Sequence, residues 1–130
     1  MDSVVHFEVP YDNRERMAKF YETVFSWQMQ MLGEEMGQYV LATTTETDEK
    51  GPKNPGAING GFFPRQPEGG AQHPSLVVAV DDIKVSMKKV IEAGGLVLGE
   101  PVEIPGVGQY VPFTDSEGNR LSMLQPIPRG

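Results

Sequence analysis

The chain has no cysteine. That absence removes a disulfide framework, a thiolate nucleophile and a cysteine-ligated metal. Positive charge is also scarce. Eleven Lys and Arg stand against eighteen Asp and Glu, a formal charge of −7, so no basic stripe is present to displace counterions from a nucleic acid. Long apolar runs are missing at 38% hydrophobic content, and no membrane span is expected. A strand pattern begins by Val4, which leaves no basic and apolar leader, and a cytoplasmic location is expected. The phosphate-cradling P-loop, the dinucleotide fingerprint, the zinc-peptidase HExxH and the serine-hydrolase GxSxG are absent as well.

What is present is a repeat. Val5-His6-Phe7-Glu8-Val9-Pro10-Tyr11-Asp12-Asn13 and Pro74-Ser75-Leu76-Val77-Val78-Ala79-Val80-Asp81-Asp82 both read as a strand and an acidic turn before a helical pattern. A single offset pairs His6 with Ser75 and Asp12 with Asp81 without a gap. The 130 residues form one domain of two modules, residues 1–64 and 74–130, joined by a Pro- and Gly-rich linker at 65–73. Such a duplication implies a cavity where the two sheets meet.

Each half reads as strand, helix and three strands. In the first strand Val5, Phe7 and Val9 share one face, and His6 and Glu8 the other. Asp12 or Asn13 can cap the following helix, whose Met17, Phe20, Tyr21, Val24 and Phe25 make a stripe for burial on a sheet. Strands follow over 27–31, 38–44 and 57–63, with a Gly33–Gly37 turn and a polar loop at 45–56. The second module runs strand 75–80, helix 82–93 with Ile83, Met87, Val90 and Ile91 buried, then strands 96–104, 108–114 and 120–125. Asp115-Ser116-Glu117-Gly118-Asn119 forms the last turn, with Gly at a left-handed position.

The order of these elements resembles the vicinal-oxygen-chelate superfamily of glyoxalase I, bleomycin-resistance proteins and extradiol dioxygenases. The likeness rests on Phe20-Tyr21, Val24-Phe25-Ser26-Trp27, Ala93-Gly94-Gly95, and Phe113 with Asp115 and Glu117-Gly118-Asn119. The resemblance implies an α+β fold in which tandem βαβββ modules curl into two half-barrels around a ligand cavity. It also implies a frequent homodimer. In metal-dependent members one inward side chain from the first and fourth strand of each module chelates a divalent ion. Those positions fall on His6, Asn59, Ser75 and Ser122 here, where only His6 is an ordinary ligand for such an ion. No metal and no other cofactor is expected, with His73 the one candidate to complete a metal set by a register slip.

His6 and Glu8 form a candidate acid–base or hydrogen-bonding pair. Asn59, Ser75 and Ser122 offer neutral polar anchors, and Tyr39, Phe63, Tyr110 and Phe113 offer aromatic walls, Phe63 and Tyr110 above the others. Each of these residues also suits a purely structural role. Two readings follow: a metal-independent small-molecule-binding protein for sequestration, carriage or sensing, or a glyoxalase-like lyase or isomerase using His6 and Glu8. The first is preferred.

Overall fold

The computed structural model describes residues 1–66, 68 and 70–128, so Pro67 and Gly69 of the expected linker lie outside the described residues. The architecture is α+β. In chain order the elements are β1 (Val4–Tyr11), α1 (Arg14–Phe25), β2 (Gln28–Met31), β3 (Val40–Thr43), β4 (Thr47–Asp48), β5 (Gly51–Pro52), β6 (Asn59–Pro64), β7 (Ser75–Ala79), α2 (Ile83–Glu92), β8 (Leu96–Val97), β9 (Val102–Ile104), β10 (Gly108–Thr114) and β11 (Arg120–Pro126). No helix among the described residues is long and apolar enough to cross a membrane.

Two compact units result, one spanning His6–Pro74, the other joining residues 1–5 to the chain from Ser75 onward. The first five residues thus group with the second module, where the Ser3 carbonyl accepts the Ala79 N–H at 2.9 Å.

The repeat is visible in the strand order. In the first unit β1 lies parallel to β6, β6 antiparallel to β3, and β3 antiparallel to β2. In the second, β7 lies parallel to β11, β11 antiparallel to β10, and β10 antiparallel to β8 and β9. Each module therefore pairs its first strand in parallel with its last, an arrangement that needs the intervening crossover helix.

Local chemistry explains the helix starts. Asn13, in an extended conformation, accepts the Arg16 N–H at 2.9 Å, and Asp82 accepts the Lys84 and Val85 N–H groups. Asn13→Ala is expected to cost about 1 kcal/mol, while Asn13→Ser retains most of the stability. Urea unfolding of the two variants checks this. The Asp115 carboxylate closes the last turn by accepting the Glu117 and Asn119 N–H groups at 2.8 and 2.9 Å, and Gly118 takes the left-handed φ of +82°. These bonds hold the Asp115 carboxyl below its ordinary pKa, backbone and side-chain bonds from Asn119 first among the causes.

The core of the first unit is Tyr11, Val40, Ala42 and Phe62, joined by Phe7, Val9, Met17, Tyr21, Trp27 and Met29. The second unit buries Val80, Ile83, Val111 and Met123 against Val78, Met87, Val90, Val97 and Phe113.

Several elements depart from the sequence reading. The expected strand 96–104 breaks into β8 and β9, because Gly99 takes a φ of +114° and Pro101 has no N–H to donate. The 45–56 loop contains the β4–β5 hairpin, with Asp48 accepting the Lys50 N–H at 2.8 Å in its turn. The Gly33–Gly37 turn is a short 3₁₀ helix, Glu34–Met36. The stripe of α1 is only partly buried: Met17 and Tyr21 meet the sheet, while Phe20, Val24 and Phe25 are more than half exposed. On α2, Ile91 is likewise exposed. A helix over a sheet buries a narrower arc than the five-residue stripe covers, and residues at the arc's flank remain in solvent.

Candidate functional site

Phe7, Val9 and Tyr11 pack toward α1, so alternation along β1 sends His6 and Glu8 to the opposite face of the sheet. Val40 and Ala42 of β3 also point toward α1, which places Tyr39 and Leu41 on the face of His6. The strand order sets β6 between β1 and β3, with His6 opposite Asn59, Glu8 opposite Gly61, and Gly61 opposite Leu41.

Tyr39 crosses over β6 to reach β1. Its hydroxyl lies 2.9 Å from His6 Nε2 and donates to Glu8 Oε2 at 3.3 Å. The His6 and Tyr39 rings are nearly parallel, 18° apart, with centroids separated by 6.5 Å. A phenol carries one hydrogen. With that hydrogen directed to Glu8, a neutral His6 protonated on Nε2 would donate to the phenol oxygen and keep Nδ1 as its basic nitrogen.

Gly61 makes this crossing feasible. A Cβ on Gly61 would coincide with the Tyr39 ring and hydroxyl, just as a Cβ on Gly60 would strike the Phe7 ring. The two successive glycines thus seat one aromatic ring on each face of β6. Paired glycines in a strand suggest a close backbone approach, but here the approaching groups are the side chains of Phe7 and Tyr39.

Burial holds the His6 imidazole below its ordinary pKa of about 6.5. The unfolded chain therefore takes up a proton at higher pH than the native one. Stability contributed by neutral His6 is complete above the unfolded value and declines as pH falls from there through the native value. Melting temperature is expected to drop on acidification below about pH 6.5, and His6→Gln should flatten that part of the profile. Parallel melts of both proteins from pH 8 to pH 5 measure the difference.

The remaining candidate residues have distinct surroundings. Asn59 is bonded at both ends of its amide: its Oδ1 accepts the Thr44 N–H at 2.8 Å, and its Nδ2 donates to Thr47 Oγ1 at 2.8 Å. Thr44 Oγ1 in turn donates to the Ile58 carbonyl at 2.7 Å, so Asn59 anchors the chain between β3 and the small hairpin. Phe63 shares its face with Gly61 and Asn59 and is half-buried. His73 lies exposed before β7.

In the second unit Ser75 Oγ donates to the Arg120 carbonyl at 3.0 Å, and buried Ser122 donates to the Tyr110 hydroxyl at 2.7 Å. Ser122 stands opposite Val77 rather than Ser75. Phe113 departs from the expected wall position. It packs with Val111 and Val97 in the core beneath α2, because β10 pairs Phe113 with Val97 and turns it to the helix side.

Tyr39 reads from the sequence as a wall residue, whereas in the fold it bridges His6 and Glu8. The available signal was its position one residue before the alternating Val40 and Ala42, which fixes its face.

Comparison with known proteins gives a consistent picture. The family model "Glyoxalase/Bleomycin resistance protein/Dioxygenase superfamily" matches residues 3–123. Two curated relatives, each named "Putative glyoxylase CFP32", come from Mycobacterium bovis and Mycobacterium tuberculosis. Both are 36% identical over 72 residues, covering 55% of this chain and only 27% of the relative. Among solved structures, methylmalonyl-CoA epimerase from Mycobacterium tuberculosis superposes with a TM-score of 0.68 at 12% identity, covering 96% of this chain and 88% of the epimerase. The hypothetical protein BH1468 from Bacillus halodurans C-125 gives 0.70 at 12% identity, with 99% and 97% covered. Identities this low support the fold alone, whereas the family model spans nearly the entire sequence. The chain belongs to the glyoxalase/bleomycin resistance protein/dioxygenase superfamily.

Proposed function

We propose that the chain is a metal-independent small-molecule-binding module serving sequestration, carriage or sensing, with His6, Glu8 and Tyr39 as its polar anchor. The observation that carries this reading is the continuous His6–Tyr39–Glu8 hydrogen-bond chain on one sheet face. It presents a neutral imidazole, a phenol and a carboxylate in fixed relative positions, a set suited to orienting a ligand by hydrogen bonds. Asn59 and Phe63 support this anchor within the same unit, while Ser75, Tyr110, Phe113 and Ser122 are proposed as ligand contacts of the second unit taken by itself; Asn59, Ser75 and Ser122 already satisfy partners within the chain, and Phe113 acts from the core.

In neither unit do the residues at the expected chelating positions suit a divalent ion. One imidazole, an amide bonded at both ends and two hydroxyls bonded to protein oxygens lack the charge and basicity of a catalytic ligand set. Among the described residues no group of three or more His, Cys, Asp or Glu is arranged to hold a metal ion.

The second reading is a lyase or isomerase of the same superfamily. It draws on His6, which burial favours in the neutral form and which Tyr39 holds at 2.9 Å, a geometry open to general-base work.

Thermal-shift screening of a metabolite collection separates the readings. The binding reading expects a compound that raises the melting temperature saturably and is recovered unchanged. Tyr39→Phe should weaken its affinity about tenfold, since His6 and Glu8 lose the hydroxyl that holds them in place for the ligand. Conversion of the compound by the wild type, abolished in His6→Gln, would establish the enzyme instead. A cytoplasmic homodimer completes the proposal. Light scattering near twice the 14.3 kDa chain mass supports the dimer, and a monomer mass counts against it.

A further inference from the structure

We propose that the first unit carries a second small-molecule site, on the α1 side of its sheet, for a small carboxylate with a flat apolar body. An open cleft of about 340 Å³ lies between the end of β1, the N-terminal half of α1 and the end of β6. Small-molecule pockets span roughly 300–1,000 Å³, so this one suits a single ring with a short acidic arm.

Its floor is apolar and aromatic. Met17 and Tyr21 line it, backed by the fully buried Phe62, whose ring centroid lies 5.0 Å from that of Tyr21. Phe20 stands edge-on to Tyr21 at 5.1 Å and is more than half exposed. A ligand ring inserted beside Phe20 would cover aromatic surface that water now touches, and it would gain edge or offset contacts with both rings.

The rim supplies the charge selection. Arg16 and Arg65 are the cationic lining residues, and Asp12 is the anionic one. Arg65 is already oriented, its Nε donating to Asp12 Oδ1 at 3.0 Å and its Nη1 to the Gln72 carbonyl at 2.7 Å. A guanidinium held in this way loses little freedom on meeting a carboxylate. Two cations against one anion make the cleft locally positive on a chain of charge −7, which favours an anionic ligand over a cationic one. The site is independent of His6, Tyr39 and Glu8, which occupy the opposite sheet face.

The probe pair is 3-phenylpropionate and its neutral amide, titrated in low salt. Trp27, the single tryptophan, stacks on Tyr21 at 4.9 Å and reports occupancy by fluorescence, while backbone amide resonances locate it. The acid is expected to saturate, shifting resonances at Arg16, Tyr21 and Arg65, and to bind more tightly than the amide. Arg16→Gln should weaken it about fivefold, a size set by solvent screening of an exposed pair. Phe20→Ser, at an exposed position, should weaken acid and amide alike while melting as the wild type does. Equal binding of acid and amide, no saturation, or shifts centred on His6 and Tyr39 would overturn the proposal.

Discussion

Gly61→Ala is expected to lower stability by about 1–3 kcal/mol and to abolish the His6–Tyr39–Glu8 connection, the usual range for an added methyl in a filled site. The new Cβ would occupy the space of the Tyr39 ring and hydroxyl, so Tyr39 must leave its position over β6. Glu8 and His6 would then lose their shared partner. Removing the tyrosine ring should relieve the clash. Gly61→Ala combined with Tyr39→Ser is therefore expected to be more stable than the two single losses predict by addition, a coupling that contacting residues show and distant ones do not. Thermal unfolding of the four proteins measures it. Strict additivity would mean that Tyr39 does not lie over Gly61.

Phe62→Ala should be costlier still, about 3–5 kcal/mol. Phe62 is fully buried, meets Phe7 edge-on at 6.3 Å and lies 5.0 Å from Tyr21, so its loss leaves a void between β6 and α1. Native domains are stable by roughly 5–15 kcal/mol, and this single change would consume a large share. Its neighbour Phe63 points to the other face and is half-buried, so Phe63→Ala should cost about 1–2 kcal/mol, less than burial of a complete side chain. Urea unfolding of the pair tests the face assignment that also places His6. Equal losses for Phe62 and Phe63 would contradict it.

The elements legible in the sequence were those written by local chemistry. Asn13 and Asp82 announce helix starts because a short polar side chain can take an orphan N–H. The alternation of β1 separates His6 and Glu8 from Phe7 and Val9, and the repeat of that strand before both helices anticipates the shared strand order. Non-local properties were less visible. The Tyr39 bridge depends on β6 lying between β1 and β3, a pairing no short stretch encodes. Asn59 reads as a free anchor until Thr44 and Thr47 are seen to consume both ends of its amide. Phe113 sits in a strand whose face is set by its pairing with β8. Phe20, Val24 and Phe25 fit the helical stripe in one dimension, but the sheet reaches the side of α1 that carries Met17 and Tyr21.

One experiment separates metal-independent from metal-dependent recognition at His6, Tyr39 and Glu8. The protein is stripped with a chelator, its metal content is measured, and the strongest thermal-shift ligand is titrated against wild type and Tyr39→Phe. Substoichiometric metal, full ligand affinity in the stripped protein and about tenfold weaker binding in the variant are the predicted results. Stoichiometric metal whose removal abolishes binding, or a Tyr39→Phe variant that binds as the wild type does, would contradict the account.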